Sequence, residues 1–142
     1  MWRRKVGWLT ALLVGVSPIS PTWAQAIDAN KPLLCALVDI HSCAPSESGV
    51  NCQKQTPESA NVPRFLRIDV ADKNIVGTRS DGEQKNTKIA TVQRLQDHLL
   101  LQGIDDGPLS WSIAIIESTG AMSLTGAKAD VGFVVFGACT EP

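Results

Sequence analysis

Hydrophobic positions in this chain recur at every second residue in short runs, separated by Gly, Asp, Asn and Ser, which is the pattern of half-buried strands. Residues 33–40 make an apolar run that turns polar at its end and are expected to form the first strand. Residues 42–62 contain Pro45, Gly49 and Pro57 and show no period, and read as an N-terminal loop. Next come 64–70 and 75–78 around a turn at Asp72-Lys73-Asn74, then a polar loop, then strands at 88–93 and 99–101 joined through Gln96-Asp97-His98. Trp111 opens an alternating strand over 111–115, Ser118-Thr119-Gly120 turns the chain, and 122–125 and 131–136 complete the set. A helix over 89–101 is the one rival, since Val92, Leu95 and Leu99 approach helical spacing, but Thr91 and the turn at Asp97 oppose it. Short strands joined by tight turns predict an all-β antiparallel up-and-down meander, a closed or nearly closed eight-stranded small barrel without free edges. Its expected core is Ile68, Ile75, Ile89, Leu99, Leu101, Trp111, Ile113, Ile115, Met122, Leu124, Phe133 and Val135.

The last strand departs from simple alternation. Val131, Phe133 and Val135 make one face apolar, and Val134 and Phe136 do the same to the other. The outer face therefore needs cover, either from the N-terminal loop or from a partner, including a second copy in a homodimer formed through strand 131–136.

The beginning of the chain has a different texture. Arg3, Arg4 and Lys5 precede an apolar run over 6–16, too short to span a bilayer, and Ala24-Gln25-Ala26 has the small-x-small form of a cleavage site. Residues 1–26 are read as a cleaved signal peptide and 27–142 as one β domain, periplasmic or secreted, with no stable membrane insertion after cleavage. The leader removes three cations and no anion. The whole chain carries 13 Lys+Arg and 14 Asp+Glu, so the remainder is distinctly acidic, which excludes nucleic acid as a partner. Trp111, Phe65, Phe133 and Phe136 are the aromatics left beyond it, a thin supply for stacking on sugars or bases.

Four cysteines in an oxidising compartment read as two disulfides. Cys35, Cys43 and Cys52 lie near the N-terminus and Cys139 near the C-terminus, so three pairings are open. The turn formers between Cys43 and Cys52 favour a local link across that loop, which leaves Cys35 to join Cys139 and tie the first strand to the last. The gaps within the cluster are wrong for a structural zinc site, and neither His41 nor His98 repairs them; no metal and no cofactor are expected.

Other chemistry-bearing residues have ordinary explanations. Asp97 and His98 sit together in a turn, as hairpin corners do. Asp39 and His41 lie two apart on one strand face, a structural pair with no nucleophile to activate; His41 is kept as a possible binding residue. Asp105-Asp106 before Gly107-Pro108 reads as a solvated turn. No serine stands in a Gly-x-Ser-x-Gly elbow. Trp111 is either core or the floor of a pocket at a barrel mouth, and is the second possible binding residue.

The runs Val62-Pro63-Arg64-Phe65-Leu66-Arg67-Ile68-Asp69, Leu99-Leu100-Leu101-Gln102-Gly103 with Trp111-Ser112, Thr119-Gly120-Ala121-Met122 and Gly132-Phe133-Val134-Val135-Phe136-Gly137-Ala138-Cys139 together resemble a set of small exported bacterial proteins of unknown function. That resemblance implies an exported disulfide-containing β domain and no activity. The expected function is non-enzymatic: binding of a protein or small ligand in the cell envelope. The alternative is a proteinaceous inhibitor of an envelope hydrolase, a protease or lysozyme, presenting the Cys43 to Cys52 loop.

Overall fold

The computed structural model describes residues 26–142, and the leader lies outside them but for Ala26. Ten strands form one antiparallel sheet: β1 (Leu33–Ser46), β2 (Gly49–Gln55), β3 (Phe65–Asp69), β4 (Asn74–Thr78), β5 (Gln84–Lys88), β6 (Thr91–Leu95), β7 (His98–Asp105), β8 (Leu109–Ile116), β9 (Ala121–Lys128) and β10 (Val131–Thr140). Their order is β5-β4-β3-β1-β10-β9-β8-β7-β6, with β2 paired to β1. First and last strands are neighbours, as the cysteine placement implies. The meander curls into an open half-barrel.

Two of the expected boundaries are corrected. The 42–62 segment is largely a hairpin: β1 continues to Ser46 and β2 returns beside it, with Cys43 directly opposite Cys52. Its period is hidden because most of β2 is exposed on both faces, leaving no alternation to detect. The polar loop before residue 88 contains β5, an edge strand of Gln, Lys, Asn and Thr that pairs in register with β4. The stretch 89–101 is not helical, and the strand expected at 88–93 is split: Lys88 ends β5, Ile89 and Ala90 cross over, and β6 begins at Thr91 and pairs with β7 around a corner where Gln96 has positive φ.

The sheet does not close because its two ends meet only at a corner. β5 and β6 are consecutive in the chain: Ile89 N–H donates to Lys73 O at 2.9 Å on one side and Ala90 N–H to Gln102 O at 2.9 Å on the other. No ladder runs between β5 and β7 above that crossing. There Lys85 of β5 and Asp105 of β7 face each other across the seam as an ion pair.

The concave face carries the core, and its two ends differ. At one end, aliphatic side chains from all sides meet: Leu33, Ile68, Leu99 and Ile115 are fully buried, with Met122 beside them. Each such residue contributes roughly 1.5–3 kcal/mol by leaving water. The segment before β1 plugs this end. Ile27 and Ala29 join the core, Ile27 N–H donates to Glu117 O at 2.8 Å, and Lys31 reaches Glu141 at 2.8 Å. The Cys35–Cys139 disulfide lies here between directly opposed residues of β1 and β10, whose Cα atoms are 3.9 Å apart. Cys139 N–H is turned the other way, to Gly120 O at 2.7 Å, so Cys35 and Cys139 form the close, non-hydrogen-bonded type of pair. Ten of the twelve expected core residues are buried; Leu124 and Phe133 pack against the core only in part.

The expected cover for the last strand is also corrected. The N-terminal hairpin continues the sheet in its own plane instead of folding over it, because β1 uses one edge for β10 and the other for β2 and β3. Phe136 stays about half exposed on the outer face. Both edges of β10 are taken, by β1 and β9.

Candidate functional site

The other end of the half-barrel holds an open cavity of about 400 Å³, within the range of about 300–1,000 Å³ typical of small-molecule sites. Its wall is built from one cross-strand row, in which Gly103, Trp111, Gly126, Phe133 and Ser42 stand opposite one another on β7, β8, β9, β10 and β1. A large ring alternates with glycine. A Cβ at Gly126 would run into the Phe133 ring, and one at Gly103 into the Trp111 indole, so each ring lies flat on the strand beside it. Flattened rings leave space where upright ones would fill it.

In the next row down, Leu101, Ile113, Leu124, Val135 and Ile40, all but the fully buried Leu101 form the floor. On the opposite side the Pro63 ring rests on Gly77, next to Leu66 and Ile75. The lining is therefore apolar over most of its area. The charged lining residues gather at the mouth, near the seam. Arg79 follows β4, Lys85 lies on β5 and Asp105 ends β7. Arg79 Nη1 donates to Glu83 Oε2 at 2.8 Å, and Lys85 pairs with Asp105, whose side chain is only 10% exposed. Among the described residues, two buried side-chain N–H donors have no partner, Arg79 Nε and Trp111 Nε1, and both belong to cavity-lining residues. A buried donor left unpaired costs about 1–3 kcal/mol.

Trp111 is thus both core and cavity wall, 8% exposed. His41 lies on the outer face, half-buried, opposite Lys54 on β2 and Val134 on β10. Its neighbour Asp39 bonds Lys54 at 2.6 Å, and that hydrogen bond and charge hold the Asp39 carboxyl below its ordinary range. Neither reaches the cavity. Asp97 turns away from His98 to receive Ser118 N–H at 2.8 Å together with the Ser118 hydroxyl, pinning the β6–β7 turn to the β8–β9 turn. Asp105 and Asp106 diverge, one to Lys85 and one to solvent, and among the described residues no group of three or more His, Cys, Asp or Glu stands together for a metal. Cys43–Cys52 clamps the β1–β2 hairpin, whose Cα atoms at the link are 4.0 Å apart.

Sequence reasoning missed Arg79, Lys85 and Pro63 as neighbours of Trp111. They lie in stretches that read as loop. The one local signal, glycine two residues from the end of an alternating strand, becomes informative only when the register sets Gly126 against Phe133. No protein-family model, curated protein or solved structure matches this chain.

Proposed function

We propose that this domain is a non-enzymatic binding protein of an oxidising, extracytoplasmic compartment, and that it holds a small apolar ligand in the half-barrel. The observation that carries this reading is the open cavity of about 400 Å³, walled by Trp111 and Phe133 lying flat over glycines. An ordinary core would be filled, because interiors pack to the density of organic crystals. Here the same strands that pack tightly at one end are spaced by glycine at the other. The two disulfides suit the compartment named by the leader.

Titration with the neutral fluorescent probe N-phenyl-1-naphthylamine tests the reading. Saturable enhancement at one probe per chain is expected, and Leu124→Trp, which adds bulk at the floor, should abolish it while the far-ultraviolet spectrum stays native. Unsaturable enhancement, or binding indifferent to Leu124→Trp, removes the cavity from consideration.

The exposed hairpin supports a second reading, the hydrolase inhibitor. It is cross-linked at Cys43–Cys52 and carries Val50 about three-quarters exposed near its tip, as a preorganised contact loop would. Loss of protease or lysozyme inhibition on removing residues 44–51, with probe binding retained, would favour it.

A further inference from the structure

We propose that the ligand is a single-chain amphiphile with a carboxylate head, its hydrocarbon chain lying against Trp111 and Phe133 and its head at the mouth against Arg79 and Lys85. The proposal rests on the cavity being a binding site and adds the chemical class of what it binds.

The cavity is itself amphipathic. Its β8, β9 and β10 wall and its floor are aliphatic and aromatic, whereas its charges sit together at the seam, on the segment after β4, on β5 and at the end of β7. That arrangement matches a molecule with one long apolar part and one polar end. The lining charges are two cations, Arg79 and Lys85, and one anion, Asp105. Lys85 neutralises Asp105 across the seam in the more buried pair, so the cation whose partner is more readily exchanged is Arg79. Glu83 pairs with Arg79 from outside, and its side chain is 64% exposed, where water and salt weaken the attraction.

Geometry narrows the head group further. Glu83 takes Nη1 and so fixes the guanidinium plane, while the buried Nε–H has no acceptor. A guanidinium held by a single, largely exposed carboxylate can exchange it for the carboxylate of a ligand, which accepts hydrogen bonds as well as charge. A hydroxyl head could accept a hydrogen bond but could not replace the charge of Glu83. An ammonium head would face two cations, with Asp105 already occupied.

Calorimetric titration with dodecanoate, dodecan-1-ol and dodecylammonium, each below its micelle-forming concentration, decides the matter. Dodecanoate should bind at least about tenfold more tightly than the alcohol, a difference that Arg79→Gln should erase and Arg79→Lys, keeping the charge and losing the fork, should restore only in part. Native spectra and saturable N-phenyl-1-naphthylamine binding by each variant show that it folds. Equal affinity for alcohol and carboxylate overturns the head-group assignment and leaves the cavity reading intact, and so does a preference for the ammonium. Binding of the naphthylamine probe with none of the three chains rejects the amphiphile. Failure of the probe as well rejects the cavity reading itself.

Discussion

The two ends of this half-barrel are made from the same strands by the same alternation, yet one is packed solid and the other is hollow. At the closed end Leu99, Ile115 and Met122 occupy consecutive positions in register and meet Leu33 and Ile68 from the far side, with Ile27 and Ala29 as a plug. Two rows away along β7 to β10, the inward positions alternate aromatic with glycine, and the segment after β2, with Ala60, Val62 and Pro63, borders that end without filling it. The lesson is that apolar periodicity specifies which face is inside, not whether the inside is full. Fullness depends on whether side chains from opposite walls reach each other.

Each end also has its own disulfide, and removing them should separate the ends most strongly. Cys35–Cys139 closes a loop of 104 residues and Cys43–Cys52 one of 9. Chain-entropy arithmetic gives about 4–5 kcal/mol for the long link and about 2–3 kcal/mol for the short one. Replacing Cys35 and Cys139 by serine should therefore lower the denaturation midpoint about twice as far as replacing Cys43 and Cys52. The second pair of replacements should leave probe binding in place. Equal losses would mean that the hairpin is as integral to the fold as the closed end.

A glycine comparison sharpens the contrast at smaller scale. A Cβ at Gly137 would meet the Ala36 carbonyl, part of a sheet backbone that has nowhere to move, and Gly137→Ala is expected to cost about 2–3 kcal/mol in chemical denaturation. The atoms nearest a Cβ at Gly126 belong to the Phe133 ring, which has the cavity to swing into, so Gly126→Ala should cost under about 1 kcal/mol. Gly126→Ala should nevertheless weaken the naphthylamine probe, since the displaced ring takes its space. A large cost at Gly126 would show that the mouth is as rigid as the closed end.

Acid provides the smallest test. At the closed end the Glu141 carboxylate accepts from Lys31 Nζ at 2.8 Å and from Asp28 N–H at 2.9 Å, and these hydrogen bonds keep it below its ordinary range; on the hairpin Lys54 does the same for Asp39. A carboxyl depressed in the folded state adds stability above its unfolded pKa and loses it as pH falls through the folded value. Thermal midpoints should fall slightly as pH is lowered from about 6 to about 3, and less so in about 1 M salt, because these pairs face water. Glu141→Gln should flatten that dependence more than Asp39→Asn. Glu141 ties residues 110 apart in sequence, whereas Asp39 joins two strands of one hairpin already linked by Cys43–Cys52.

Much of this architecture was legible in residue order. Most strands from Phe65 onward, most turns, ten of twelve core positions and both cysteine links follow from alternation and from the placement of turn formers, which act locally. The missed elements share a physical cause. β2 is exposed on both faces and β5 is a polar edge strand, so neither writes a hydrophobic period, and each exists because a neighbour offers a row of backbone partners. The even cysteine count is likewise a property of composition.

Tertiary structure alone decided the rest. Whether ten strands close depends on the two sheet ends meeting along a ladder, and here they meet only where Ile89 and Ala90 cross from β4 to β7. Whether Trp111 is core or wall depends on which residue the register sets opposite it, and that residue is glycine on both sides, Gly103 and Gly126. Arg79, Lys85 and Asp105 come together over the mouth because curling brings β5 to β7, a contact with no trace in local sequence. Alternation is read from one strand at a time, whereas a cavity is a relation between walls.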